Sequence, residues 1–263
     1  MCTVSVISLA SAQPHLAGDA GFRLVVNRDE QRDRPPALQP RWRTVGEEDS
    51  RRALWPIDPR GGGTWVGASE TGLVLSLLNL NPDVPPMLPA QLVSRGAIIP
   101  RLLSAADPEG VLRRLERLEL ERFAPFRLVV AAPDRAGRFW GGGFTLHEAT
   151  WDRERLSTRR VTSAPACFAS SGLGDSRVTG RLELFDELVG RAPGTDAQDR
   201  FHRHCWPGRE EVSVLMSRED ARTVSVTVVE VRPRSTVNGA QVRMNYRSVY
   251  EPAALALAAT PRG

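Results

Sequence analysis

Met1 is followed at once by Cys2, and Cys2 opens a β-branched run, Thr3-Val4-Ser5-Val6-Ile7. A small second residue lets methionine aminopeptidase remove Met1, and Cys2 then carries a thiol and a free α-amine on one residue. An α-amine titrates near pH ~8, against ~10.4 for lysine, so part of it is neutral in the cell and can accept a proton. A thiol is already a good nucleophile, and a neighbouring base or cation turns it into a thiolate. One residue can therefore supply both nucleophile and base. The plainer alternative is a small buried hydrophobe at the start of a strand, where free cysteine usually sits.

Other residues are placed to serve such a site. A second strand-like run, Phe22 to Val26, ends on Asn27-Arg28-Asp29-Glu30. Arg28 beside Cys2 would favour the thiolate, and an acid near the α-amine would hold that amine in place. On a strand Asp29 faces away from Arg28 and Glu30 shares its side. A strand already bending into a turn would break that rule. Arg28 with Asp29 also reads as a structural ion pair at a strand end. Asn79 closes the run Leu73 to Leu78. It either caps that strand or points an amide N–H at a developing oxyanion, a contact worth on the order of 10²–10³ in rate. Arg222 stands before the alternating run Thr223 to Val231, where it could position the site or meet a carboxylate bidentately.

Composition limits the setting. At 263 residues, 41% of them hydrophobic, the chain can build a sizeable core. All 35 basic side chains are arginine, so the net charge is only +4 although the pI is 9.6. No basic stripe with interleaved aromatics points to nucleic acid. The three cysteines, Cys2, Cys167 and Cys205, have no framework spacing, which fits a reducing compartment. No apolar run approaches the ~20 residues of a membrane span. Val4 to Ala12 faintly resembles a signal segment but lacks a basic start, so a strand in a cytoplasmic protein is the expectation. No cofactor is implied.

The elements around the candidates follow from periodicity. Residues 31–60 read as a polar, Pro- and Arg-rich loop, packed as a flap by Trp42 and Trp55. Gly61-Gly62-Gly63-Thr64-Trp65-Val66-Gly67 reads as a tight turn entering a strand. It lacks the Gly-Lys-Ser/Thr ending of a phosphate loop. A short helix is expected over Ala90 to Leu103. A clearer one is capped by Asp107, with Pro108 first and Val111, Leu112, Leu115 and Leu118 on one face. Strands are expected over Phe126–Ala132, Gly137–Trp140, Phe144–Ala149 and Arg155–Thr162. A helix from about Arg177 to Gly190 is expected to bury Leu182, Phe185, Leu188 and Val189. His202-Arg203-His204-Cys205 is too compact to close a metal site alone, and reads as an exposed loop or frayed helix end. Two strands, Thr223–Val231 and Gly239–Tyr250, and a short helix over Pro252–Ala259 complete the chain. Strands in runs with helices in runs argue for α+β layers, and no linker divides the chain.

Taken together, Met1-Cys2, Asn27-Arg28-Asp29-Glu30 and Gly62-Gly63-Thr64-Trp65-Val66-Gly67 resemble the NRDE family, the transport-and-Golgi-organisation family. Asp58 before the glycines, Ser94-Arg95-Gly96 and the stretch Ser170 to Asp175 resemble it as well. The resemblance extends over about residues 1 to 230. That family is similar in turn to N-terminal-nucleophile (Ntn) hydrolases of the choloylglycine hydrolase and penicillin V acylase group. The resemblance implies a single domain over 1–263, a four-layer αββα sandwich of two stacked antiparallel sheets. It implies Cys2, Arg28, Asp29, Glu30, Asn79 and Arg222 as catalytic residues, with Ser170, Ser171 and Trp65 binding substrate. The acylases place an Asp three residues after the Arg, where this chain has Gln31. They also carry a second oxyanion Asn where it has Ser170-Ser171. The implied activity is hydrolysis of an amide, ester or thioester. The alternative is a non-catalytic carrier of a hydrophobic ligand, haem or lipid, on the same fold. In either case the partner is a small or hydrophobic ligand, with no nucleic acid and no stable membrane insertion.

Overall fold

The computed structural model describes residues 2–9, 21–46, 51–134, 143–162, 164–233 and 240–249. The strand expected over Gly137–Trp140 and the helix expected over Pro252–Ala259 lie outside the described residues. Two antiparallel sheets form the centre. The first contains β1 (Cys2–Ser8), β2 (Phe22–Gln31), β10 (Ala166–Ser170), β11 (Ala221–Pro233) and β12 (Ala240–Ser248), in the order β10-β1-β2-β11-β12. The second runs in sequence order through β3 (Leu38–Val45), β4 (Arg51–Ile57), β5 (Val66–Ser69), β6 (Val74–Asn79), β7 (Phe126–Pro133), β8 (Phe144–Trp151) and β9 (Leu156–Val161).

Side-chain alternation assigns each strand face to a layer. In β1, Val4 and Val6 enter the core between the sheets, together with Leu24 and Val26 of β2, Val74 and Leu78 of β6 and Val129 of β7. Ile7 points the other way, onto Phe185, Val189 and Phe201 of the helical layer behind the first sheet. Leu75 and Leu77 point onto Ile98, Leu102, Val111 and Leu115 behind the second. Both faces of these strands are buried, so they read as continuous apolar runs rather than alternating ones. The helices are α1 (Ile98–Leu102), α2 (Pro108–Glu116), α3 (Gly180–Phe185) and α4 (Thr195–His202). The result is the expected αββα sandwich.

α2 begins as its sequence dictates. The Asp107 carboxylate accepts from the N–H of Gly110 at 2.6 Å, and Pro108 takes the first position. Three expectations are corrected. Residues 31–60 hold the β3–β4 hairpin rather than a loop. β3 is an exposed edge strand, so its outward Arg and Trp side chains hide the period-two signal. Its tryptophans pack under arginines across the hairpin, Arg43 over Trp55 at 4.7 Å and Arg52 over Trp42 at 5.3 Å. The helix expected over Ala90–Leu103 shrinks to a 3-10 turn at Arg95–Ala97 followed by α1, with Ser94 capping through the N–H of Gly96. The helix expected over Arg177–Gly190 breaks into a 3-10 turn (Asp175–Val178), α3 and a π turn (Asp186–Gly190). Leu182 is exposed, and Leu184 is buried in its place.

His202 is a further difference. It ends α4, fully buried, and its ring joins two sheet side chains. Ser5 Oγ lies 2.7 Å from its Nε2, and Asn27 Oδ1 lies 2.8 Å from its Nδ1. Among the described residues no group of three His, Cys, Asp or Glu side chains is placed to share a metal ion. No described helix is long and apolar enough to cross a membrane.

Candidate active site

Cys2 sits between Arg28, which sequence reasoning placed beside it, and Ser170, which it assigned to substrate binding. In the β1–β2 ladder it is directly opposite Arg28, and in the β1–β10 ladder opposite Ser170. Directly opposed residues share a face, so Cys2 and Arg28 both point toward the second sheet. The backbone nitrogen of Cys2, which becomes the α-amine once Met1 is lost, donates to Ser170 Oγ at 3.2 Å. A cleft of about 580 Å³ opens here, lined among others by Cys2, Arg28, Glu30, Trp65, Asn79 and Arg95. Asn79, at the end of β6, lines this cleft as well.

The two acids after Arg28 separate as strand alternation requires. Glu30 stays on the cleft side, 3.4 Å from the Arg28 guanidinium. Asp29 turns to the helical side, although it also reaches the cleft wall. There it accepts from Thr223 Oγ1 at 2.6 Å, and Arg181 of α3 approaches at 3.5 Å. Arg181 also donates to Thr3 Oγ1 at 2.7 Å, tying α3 to β1 beside Cys2. Asp29 is thus held in a buried frame rather than paired with Arg28.

Arg28 is engaged by a residue that sequence reasoning noted only as part of a motif. Its guanidinium donates to the Asp58 carboxylate and lies 4.2 Å over the Trp65 ring. Arg34 donates to the same carboxylate at 2.7 Å. The other Asp58 oxygen accepts from the N–H groups of Arg60 at 2.9 Å and Gly61 at 3.3 Å. The usable signal was an Asp just before a glycine turn, a residue that commonly folds such a turn onto its own carboxylate. Burial alone would raise the Asp58 carboxyl. The Arg34 hydrogen bond, the Arg28 charge and the two N–H donors outweigh it and hold it below the usual carboxylate range.

These contacts bear on the expected state of the Cys2 thiol. Burial pushes the Cys2 thiol up; the chain's amino terminus and Arg28 pull it down, while Asp29 and Glu30 push it up again. The net direction is upward. The expectation that Arg28 makes Cys2 a thiolate is therefore corrected: burial dominates, and Arg28 already faces two carboxylates.

Other candidates fall around the cleft with different tasks. Trp65 lines it and stacks on Arg28. Ser171 is one step removed: its hydroxyl accepts from the N–H of Leu173 at 3.1 Å, shaping the loop whose Gly172 lines the cleft. Asp175 ties that loop to the one after β6, accepting from the N–H of Ser171 at 3.0 Å and of Asn81 at 3.2 Å. Arg222 pairs in register with Glu30 across β2 and β11, and is not among the residues lining the cleft. Arg95, which sequence reasoning noted only within Ser94-Arg95-Gly96, does line it.

A backbone crossing fixes that part of the wall. The N–H of Thr64 donates to the carbonyl of Gly96 at 3.0 Å. A Cβ on Gly63 would lie 2.5 Å from the Gly96 carbonyl carbon, closer than atoms can approach. The glycine turn before β5 and the turn carrying Arg95 are thus pressed together, backbone on backbone.

Comparison with solved structures finds the same architecture at low identity. An N-acylethanolamine-hydrolyzing acid amidase ortholog from Caenorhabditis elegans is 11% identical, with a TM-score of 0.50, over 87% of this chain and 92% of that one. Penicillin V acylase from Agrobacterium tumefaciens is 14% identical, with a TM-score of 0.47, over 95% and 86%. The C2A mutant of conjugated bile acid hydrolase from Clostridium perfringens is 11% identical, with a TM-score of 0.45, over 96% and 97%. At 11% identity the likeness to the amidase ortholog speaks for the fold alone. No curated protein matches the sequence. The family model for Transport and Golgi organisation 2 matches residues 1–161, and the chain belongs to that family.

Proposed function

We propose that the chain is an N-terminal-nucleophile hydrolase of an amide, ester or thioester, with Cys2 as nucleophile and its own α-amine as base. The observation that carries this reading is the placement of Cys2: thiol at the cleft beside Arg28, backbone nitrogen on Ser170 Oγ. A thiol held neutral by burial needs a base at the moment of attack, and the α-amine of the same residue is the nearest one available.

In this mechanism Cys2 Sγ attacks the carbonyl and its proton passes to the α-amine. The Asn79 amide and a backbone N–H receive the oxyanion. The tetrahedral adduct collapses, and the leaving group takes the proton from the ammonium. Water then attacks the acyl-Cys2 thioester, gives its proton to the amine, and releases the acid. Ser170 positions the amine. Asp29, held by Thr223 and Arg181, and Glu30 supply negative charge that favours the ammonium. Arg28, fixed by Asp58, and Trp65 form the wall against which substrate lies, and Ser171 shapes the adjoining loop. Arg222 keeps the end of β2, with Glu30, in register. The carrier reading has less in its favour, because it gives the placement of Cys2 between Arg28 and Ser170 no task.

The test is site-mapped labelling of the native protein with a limiting thiol-reactive acyl probe, read by peptide mass spectrometry. The expected result is loss of Met1 and acylation of Cys2 far faster than Cys167 or Cys205, with the preference abolished by unfolding. Retention of Met1, or three equally reactive cysteines, would sink the hydrolase reading.

A further inference from the structure

The cleft holds three arginines, and two are matched. Arg28 and Arg34 share Asp58, and Glu30 stands 3.4 Å from one and 3.9 Å from the other. Arg95 differs. Its Nη1 donates to the carbonyl of Pro125 at 2.7 Å, and among the described residues no carboxylate forms an ion pair with it. A carbonyl orients a guanidinium but does not neutralise it. Burial works against the Arg95 charge. Arg95 and Cys2 line the same cleft. A half-buried cation with no carboxylate beside it is open to an anionic partner.

We propose that Arg95 binds a carboxylate of the substrate, so that the bond cleaved at Cys2 belongs to a molecule carrying an anionic group a short distance from the scissile carbonyl. This rests on the Cys2 reading above. It moves the task of meeting a substrate carboxylate from Arg222, which is off the cleft wall, to Arg95, which is on it. The planar fork suits a carboxylate, and Pro125 holds one arm while the others remain to donate. The turn that carries Arg95 is braced by the Gly63–Gly96 crossing, so the guanidinium is presented by rigid backbone.

Iodoacetate and iodoacetamide are nearly isosteric and differ by one charge. Each alkylates a thiol in the same way: Sγ attacks the methylene, a carbon–sulfur bond forms, iodide leaves, and the thiol proton goes to the amine or solvent. The rates of both at Cys2 of the full native chain, read by peptide mass spectrometry, are compared with those of N-acetylcysteine in the same buffer. The expected iodoacetate-to-iodoacetamide ratio at Cys2 exceeds that of N-acetylcysteine by about tenfold. Arg95→Gln should return it to the N-acetylcysteine value, and Arg95→Lys should keep part of it. A wild-type ratio equal to that of N-acetylcysteine overturns the proposal while leaving Cys2 as nucleophile. So does a preference that survives Arg95→Gln. Failure of Cys2 to react with either probe while Cys205 reacts overturns the nucleophile reading, and the Arg95 proposal with it.

Discussion

β1 carries two potential nucleophiles three residues apart, and they meet opposite surroundings. Ser5 faces the helical layer. Its Oγ lies 2.7 Å from His202 Nε2, and the far side of that ring meets Asn27 Oδ1 at 2.8 Å. Gln198 Nε2 donates to the same hydroxyl at 2.7 Å, which leaves the Ser5 proton to point at the imidazole. By distance and tautomer this arrangement imitates a catalytic triad. Ser5 and Asn27 have no exposed surface, however, and His202 has almost none. No carbonyl can reach that hydroxyl. Burial, with the Arg23 charge, pushes His202 down to about 3, so the ring stays neutral and serves as a hydrogen-bonded rivet between α4 and the sheet. Cys2, on the opposite face, has the less orderly partners and the open cleft. The two side chains differ in access to a cleft, and the neater hydrogen-bond chain lies on the enclosed side.

The sharpest break of this comparison is substitution of each nucleophile. Cys2→Ala should reduce turnover of any acyl substrate to background, a loss of at least ~10³-fold given what the nucleophile and its base contribute. Ser5→Ala should leave the labelling rate at Cys2 within about twofold and lower stability by roughly 1–3 kcal/mol through stranded buried polar groups. Turnover assays and urea titrations separate the two, and loss of Cys2 reactivity in Ser5→Ala would reverse their roles. Next in size, His202→Ala should cost about 3 kcal/mol, from the cavity and from partners left unsatisfied, read as a lowered urea midpoint. Cys2 should still label at the normal rate wherever that variant is folded.

Acid titration probes the same rivet. The folded-state value for His202 lies below the ordinary histidine value of 6.5. Between these values the unfolded chain binds the proton and the folded chain does not, so stability falls as pH falls from about 6.5 toward about 3. The slope is roughly 1.4 kcal/mol per pH unit for this group. His202→Asn should flatten the urea-midpoint profile across that window by this amount. A profile unchanged by the substitution would mean that His202 is not buried neutral. The smallest effect belongs to the cleft. Asp58→Asn removes the carboxylate that engages Arg28, exposing Cys2 to more of the guanidinium's field. Labelling near neutral pH should quicken about threefold even as the fold weakens. Slower labelling would mean that Asp58 serves Cys2 through position instead of charge.

The sequence displayed the sandwich wherever both faces of an element are buried. β1, β2, β6 and β11 announce themselves as apolar or alternating runs, and α2 as a capped amphipathic helix. The β3–β4 hairpin did not, because an edge strand coated with arginine carries no burial pattern to read. The pairing of Cys2 with Arg28 followed from two strand ends near one another in sequence. The partnership of Arg28 with Asp58 did not. It joins different sheets, and no local periodicity encodes which long side chains meet across a core. Arg95 was hidden for the same reason, and so was His202, whose ring partners Ser5 and Asn27 come from β1 and β2.

The crossing of Gly63 and Gly96 sets a rule for anyone redesigning this cleft. Two backbones in contact leave no room for a side chain at Gly63, so enlarging that residue displaces the turn behind it and swings Arg95 away from Cys2. Specificity can be retuned by exchanging the arginine, or the side chains across from it, but not by remodelling the loop beneath it. Laboratory libraries that randomise the Gly61–Thr64 stretch should therefore be depleted at Gly63 before any selection for chemistry is applied, since the scaffold itself rejects the alternatives.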